Sequence, residues 1–308
     1  MVLPALISFA LLVFPALTAR AAPCCAQTGS VPSLITGDER ISLGASILNG
    51  SVIGDAPAAG GGVPVFRDAL STRESRSVLL LNAAALLDGD RLQAGISVPL
   101  QWNRIGSGSR DSSRVAAGDV SLTLGHETLP EWDYSVWKPR GFTFLQLTLP
   151  TGRSILESTD PAAVDVTGLG HVALSAGFVA LKRWSVWDAS SVIRLGRVFG
   201  RGFDSGISTR SAWSGAFNLG AGVSFAERFR LGGTIGVDAL SALAVSGGGL
   251  DSAGAGRLVW TAGANLAWLR GEDDTLILGY ADQTLFGPAY NTTLARTFSL
   301  SFMHRIER

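Results

Sequence analysis

The chain has 308 residues, of which 46% are hydrophobic and 16% charged, and its 25 Lys and Arg balance 25 Asp and Glu. A neutral chain without a basic cluster argues against a nucleic-acid partner, which calls for Lys and Arg to neutralise phosphates. Beyond the N-terminus no apolar run reaches the roughly 20 residues that a membrane helix needs. The longest, Val78 to Leu87, contains Asn82. High hydrophobicity without helical spans leaves either a large soluble β core or a barrel whose apolar residues face lipid.

In chain order, the apolar stretch Leu3–Leu17 followed by Ala19-Arg20-Ala21 fits an export signal cleaved after Ala21. Residues 1–21 are therefore expected to be a signal peptide, although no Lys or Arg precedes the apolar stretch. Pro4 and Pro15 argue against a retained helical anchor. The adjacent Cys24 and Cys25 fall in a short periplasmic leader, 22–38. A disulfide between neighbours would close a strained ring, and Pro23 sits where lipid attachment to Cys24 expects a small residue.

From residue 39 to 308 one pattern repeats: a segment of roughly ten residues alternates apolar with polar or small side chains, then breaks at Gly, Asp, Asn, Ser or Pro. Trp213, Gly215, Phe217, Leu219, Ala221, Val223 and Phe225 share one face, while Ser214, Ala216, Asn218, Gly220, Gly222 and Ser224 share the other. Read this way, about twelve strands fall near 39–53, 75–87, 92–104, 118–129, 141–150, 170–182, 186–199, 212–226, 229–242, 257–270, 274–286 and 295–307. Alternation is least clean in 75–87 and 186–199.

The connections alternate in length, as the long extracellular loops and short periplasmic turns of outer-membrane barrels do. Residues 54–74, 105–117, 151–169, 200–211 and 243–256 are long. Asp88-Gly89-Asp90, Lys182 to Ser185, Ala226-Glu227-Arg228 and Gly271-Glu272-Asp273 are short, and 287–294 is intermediate. Residues 130–140 break the rule, being long on the short-turn side. The expected fold is all-β: a transmembrane antiparallel barrel of about twelve strands, with both ends periplasmic.

Rim aromatics agree with a barrel. Trp260 and Trp268, on one face and eight residues apart, would be separated by about 19 Å along the membrane normal, against an apolar band of about 25 Å. The expected girdle comprises Trp102, Trp184, Trp187, Trp213, Phe225, Trp260 and Trp268, with Phe142 also placed at the periplasmic rim. Strand parity points Asp119, Glu127, Arg194, Arg230, Asp238 and Arg305 into the lumen. There they either line a transport path or pair across the barrel and rigidify it. Their mixed sign argues against a strongly ion-selective pore.

Catalytic and cofactor signals are absent. Of His126, His171 and His304, only His171 has a nearby serine on its face, and Ser175 lies about 13 Å along an extended strand. No G-x-S-x-G elbow, metal-ligand spacing or phosphate loop occurs. The acidic run Glu272-Asp273-Asp274 occupies a tight turn. No catalytic residue, metal or cofactor is expected.

Gly118-Asp119-Val120-Ser121-Leu122, Leu145-Gln146-Leu147-Thr148-Leu149-Pro150-Thr151-Gly152 and Gly168-Leu169-Gly170 together resemble elements of the outer-membrane transporters of the "MetA pathway of phenol degradation" type. The resemblance implies a barrel that passes aromatic or other hydrophobic compounds, and it supplies no substrate residues. The functional expectation is a passive outer-membrane transporter or channel for a small, hydrophobic or aromatic solute. Its expected partners are the lipid bilayer, the outer-membrane assembly machinery and the solute. A structural or adhesion barrel with a closed lumen is the first alternative, a barrel-borne hydrolase the second, and a soluble secreted β-protein the rival at the level of fold. Residues 54–74 and 151–169 are the expected constrictions, and 22–38 is too short for a large hatch.

Overall fold

The computed structural model describes residues 32–58, 63–67, 72–87, 91–107, 110–131, 135–247, 250–252 and 254–306. The expected signal peptide, Cys24, Cys25 and the Asp88-Gly89-Asp90 turn lie outside them. Among the described residues no helix is long and apolar enough to cross a membrane.

The wall is built from β1 (Ile41–Asp55), β3 (Thr72–Leu86), β4 (Leu92–Ser107), β5 (Arg110–Ala117) continued by β6 (Val120–Leu129), and β7 (Arg140–Leu149). It goes on through β8 (Ala173–Arg183), β9 (Trp187–Val198), β11 (Ala212–Phe225), β12 (Phe229–Leu240), β15 (Arg257–Arg270), β16 (Asp274–Asp282) and β17 (Thr293–Ile306). Four short strands, β2 (Val65–Phe66), β10 (Ser208–Thr209), β13 (Val245–Gly247) and β14 (Leu250–Ser252), belong to the long loops. Each wall strand pairs antiparallel with its neighbours, and β17 returns to β1 in register from Ile41↔Ile306 to Asp55↔Thr293. Counting β5 and β6 as one interrupted strand, the sheet closes with twelve.

Burial is inverted relative to a water-soluble protein. Leu219, Leu231, Leu278, Leu300 and Phe302 are exposed, while Gln93, Thr123, Asn265, Thr275 and Arg230 are buried. Period-two alternation puts the first set on the outer face and the second on the inner. An apolar exterior needs lipid, and a polar interior needs water or internal partners. The fold is thus an all-β transmembrane barrel.

The structure redraws several sequence expectations. The described part of 105–117 is strand rather than loop: Trp102↔Val115 through Ser107↔Arg110 pair, so β4 and β5 run on side by side past residue 104. The interruption after β5 falls at Gly118 and Asp119, opposite Pro99, which has no N–H to give the ladder. Strand β16 stops at Asp282 rather than 286, and β8 begins at Ala173 rather than 170. Phe142 is buried and shares the inward face of β7 with Phe144, so it is no rim aromatic. Trp260 is half-buried beneath Gly287, where an added Cβ would come within 2.4 Å of the indole.

Replacing Leu219, near the middle of the outer face of β11, by Arg should cost about 2–4 kcal/mol in vesicle-based unfolding, while Asn218→Arg on the inner face should cost less. A soluble protein would tolerate the first change better than the second.

Candidate functional site: the lumen and its mouth

Outside one apolar cluster, the inner face carries mainly small and polar side chains, and most large apolar side chains are exposed on the outer face. Arg230 illustrates how a charge is held there. It is 1% exposed and donates to both carboxylate oxygens of Asp188, at 2.6 and 2.5 Å, and to Asn265 at 3.0 Å. A Cβ at Gly222 would meet its guanidinium at 2.2 Å, and one at Gly232 at 2.6 Å. Those two glycines therefore let the arginine lie flat against the wall. A bidentate pair of this kind satisfies both charges and fixes the distance between strands β9 and β12 across β11.

The other inward charges fall into distinct settings. Glu127 is buried and bonded to Arg140 at 2.5 Å. Arg305 is buried and donates to Thr275 at 2.8 Å. Arg194 and Asp238 stand at the same level, each in register with Ala216 between them. They approach to 3.8 Å, and Arg194 also donates to Gln146. This pair keeps partial solvent access, as does Arg76, whose side chain is 56% exposed. Asp119 serves a loop: it accepts hydrogen bonds from the Gly152 and Leu169 amides at 2.9 and 2.7 Å.

Two segments enter the barrel. At the short-turn end, residues 32–38 run along the inner wall. Gln93 clasps Ile35 from both sides of its backbone, accepting from the amide and donating to the carbonyl. Ser33 donates to the Ala83 carbonyl and Arg140 donates to the Thr36 carbonyl. Gly95 and Gly125 leave the space that Ser33 and Leu34 occupy. Leu34 packs against an internal apolar cluster of Phe142, Phe144, Val179 and Val192. No part of the sequence reading gave these residues a place in the lumen. The signal for it was the pairing of the inward Gln93 with the inward Gly95 and Gly125 beside an apolar patch.

At the long-loop end, residues 150–172 fold inward. Asn103 donates to the Val164 and Val166 carbonyls, Gln101 to that of Thr167, and the Thr167 hydroxyl to that of Ala117. Within the loop, Asp165 is buried and accepts from the Ser158 hydroxyl, the Thr159 amide and Arg153. Those donors, Ser158 foremost, outweigh burial and hold its carboxyl well below the usual carboxylate range. His171 joins this loop to the next: Nδ1 faces the Leu169 carbonyl at 2.6 Å and Nε2 the Thr209 hydroxyl at 2.8 Å. Both side chains are buried, so the contact fastens two loops and offers a substrate no approach. Of the expected constriction at 54–74, the described part shows Arg67 bridging Asp55 and Glu74.

Of the expected girdle, Trp102, Trp187, Trp213, Phe225 and Trp268 are exposed on the outer face. Trp184 is half-buried and donates its indole N–H to the Val136 carbonyl in the long connection 130–139. Among the described residues no group of His, Cys, Asp and Glu could hold a metal ion.

Comparison with known proteins yields structural likeness alone. No family model matches the chain, and no curated protein does. Among solved structures, the COG4313 outer membrane channel from Pseudomonas putida F1 superposes with a TM-score of 0.67 at 14% identity, covering 90% of this chain and 98% of that one. The transport unit of the autotransporter AIDA-I from Escherichia coli gives 0.49 at 7% identity, covering 95% of each chain. The P. putida toluene transporter TodX gives 0.41 at 10% identity, covering 89% and 91%. The first of these shares the fold: a closed barrel of the outer-membrane type.

Two outcomes follow. Arg230→Met leaves Asp188 buried without its partner and should lower stability by about 3–5 kcal/mol, read from urea unfolding. Because the folded-state pKa of Asp165 is depressed, its contribution is present above the unfolded value of about 3.9 and is lost as pH falls through the folded one. Hydrogen exchange in 153–167 should therefore stay slow from neutral pH down to about pH 4 and quicken below it. Asp165→Asn should be fast throughout.

Proposed function

We propose that the chain is a passive outer-membrane channel for small hydrophobic or aromatic solutes. In this reading residues 1–21 direct export and are removed, and the envelope's assembly machinery inserts the barrel. The observation that carries the proposal is the composition of the lumen. Solvent-accessible charges, Arg76, Arg194 and Asp238, stand on the same inner wall as an apolar patch of Phe142, Phe144, Val179 and Val192. The charges keep water in the barrel, and the patch, buried beneath Leu34 in this structure, gives an apolar solute a surface once residues 32–38 move aside. Likeness in fold to an outer membrane channel, and the sequence resemblance to transporters of the phenol-degradation type, point the same way.

Residues 32–38 and the inward loop narrow the lumen at opposite ends. They favour a second reading, in which the barrel is closed and serves as a structural or adhesive element. Planar-bilayer recording separates the two. The channel reading expects small conductance steps that grow when residues 32–38 are removed. A silent bilayer with the trimmed chain inserted would overturn it.

Charge balance at the Arg194–Asp238 level should set ion preference. Arg194→Gln leaves the carboxylate uncompensated and should shift reversal potentials toward cations. Asp238→Asn should shift them toward anions.

A further inference from the structure

A cavity of about 580 Å³ opens at the long-loop end between residues 150–159 and 201–205. It belongs to neither the Arg194–Asp238 level nor the internal apolar patch. We propose that this cavity binds a small monocarboxylate with an apolar body, such as an aromatic acid or a short fatty acid, and so presents it to the lumen.

Its volume falls in the ordinary range for small-molecule sites, about 300–1,000 Å³. Pro150, Leu156 and Phe203 supply apolar lining, and Arg153 and Arg201 bring two guanidinium groups to the same cavity. Both arginines are held in place yet remain open, with side chains 40% and 39% exposed. Arg153 commits Nη1 to Asp165 and Thr159. Arg201 commits Nη1 to the Gly170 carbonyl and Nη2 to Glu157, and its guanidinium lies 5.0 Å from the Phe203 ring centre. Among the described contacts, Nε and Nη2 of Arg153 and Nε of Arg201 are left to donate. Two planar donors anchored at their other nitrogens suit a carboxylate, and ordering costs have already been met by the protein.

The acids present set the ligand's charge. Glu157 and Asp204 also line the cavity, so a dianion such as phosphate would meet repulsion that a monoanion escapes more easily. An apolar body against Pro150 and Leu156 adds the area that a bare anion such as acetate lacks. A neutral analogue keeps that area and forfeits the charge-assisted bonds.

The role in uptake rests on the channel reading, but the binding does not. The test is calorimetric titration of the detergent-purified full chain with benzoate, benzamide and hexanoate. Benzoate and hexanoate should bind, and benzamide should bind at least tenfold more weakly. Arg153→Gln should weaken benzoate by tenfold or more. Leu156→Trp, which fills the cavity and touches neither ion pair, should abolish binding while the barrel keeps its melting temperature. Equal binding of benzamide, or benzoate binding unchanged in Leu156→Trp, would overturn the site. Conductance without benzoate binding would also overturn it and leave the channel standing. Benzoate binding by a barrel that never conducts would uphold the site and dismiss the channel.

Discussion

A sheet that crosses a bilayer can have no edge, because lipid offers nothing to a free backbone amide or carbonyl. Here the pairing of β1 with β17 meets that constraint, and much else depends on it. Closure forces one face of every strand outward, so Leu219, Leu231, Leu278 and Leu300 are exposed on a wall that only lipid can cover. It forces the other face inward, where each polar group must find water or a partner.

The interior meets that requirement unevenly. Arg230 with Asp188 and Glu127 with Arg140 are closed pairs that tie strands together. Arg194 with Asp238 is a looser pair that still sees solvent. The wall near Phe142 and Phe144 is apolar and covered by Leu34. The long loop 150–172 is held by inward side chains of β4 through its carbonyls, an arrangement that fixes its position and leaves its own side chains to shape the mouth.

The sequence disclosed the fold wherever the two-residue period ran unbroken, as in β11, where Trp213 to Phe225 alternates from end to end. It was least clear in β3 and β9 for a physical reason. Val78, Leu80 and Val192 are apolar residues on the inner face, so the contrast between faces disappears there. The same cause misplaced Phe142, since an aromatic near a strand end reads as a rim residue until an internal cluster is known. Residues 105–117 were misread because an exposed hairpin rich in Ser, Arg and Gly has a loop's composition and a strand's pairing. Parity placed Arg230, Glu127 and Arg305 on the inner face, but not their partners, because Asp188, Arg140 and Thr275 come from neighbouring or next-nearest strands. The strap at 32–38 carried no periodicity at all. Several of its anchors are its own backbone atoms, held by Gln93 and Arg140, and such contacts mark residue type only on the facing wall.

Every other feature of the barrel depends on its inverted wall. Single cysteines placed in turn from residue 213 to 225 in a chain whose Cys24 and Cys25 are replaced by Ser, spin-labelled in lipid vesicles, would report access to oxygen in the bilayer and to a water-soluble nickel chelate. The inverted barrel predicts a strict two-residue alternation, with oxygen access highest at 217 and 219 and nickel access highest at 218 and 220. Water access at both sets of positions, or an alternation of opposite phase, would contradict it.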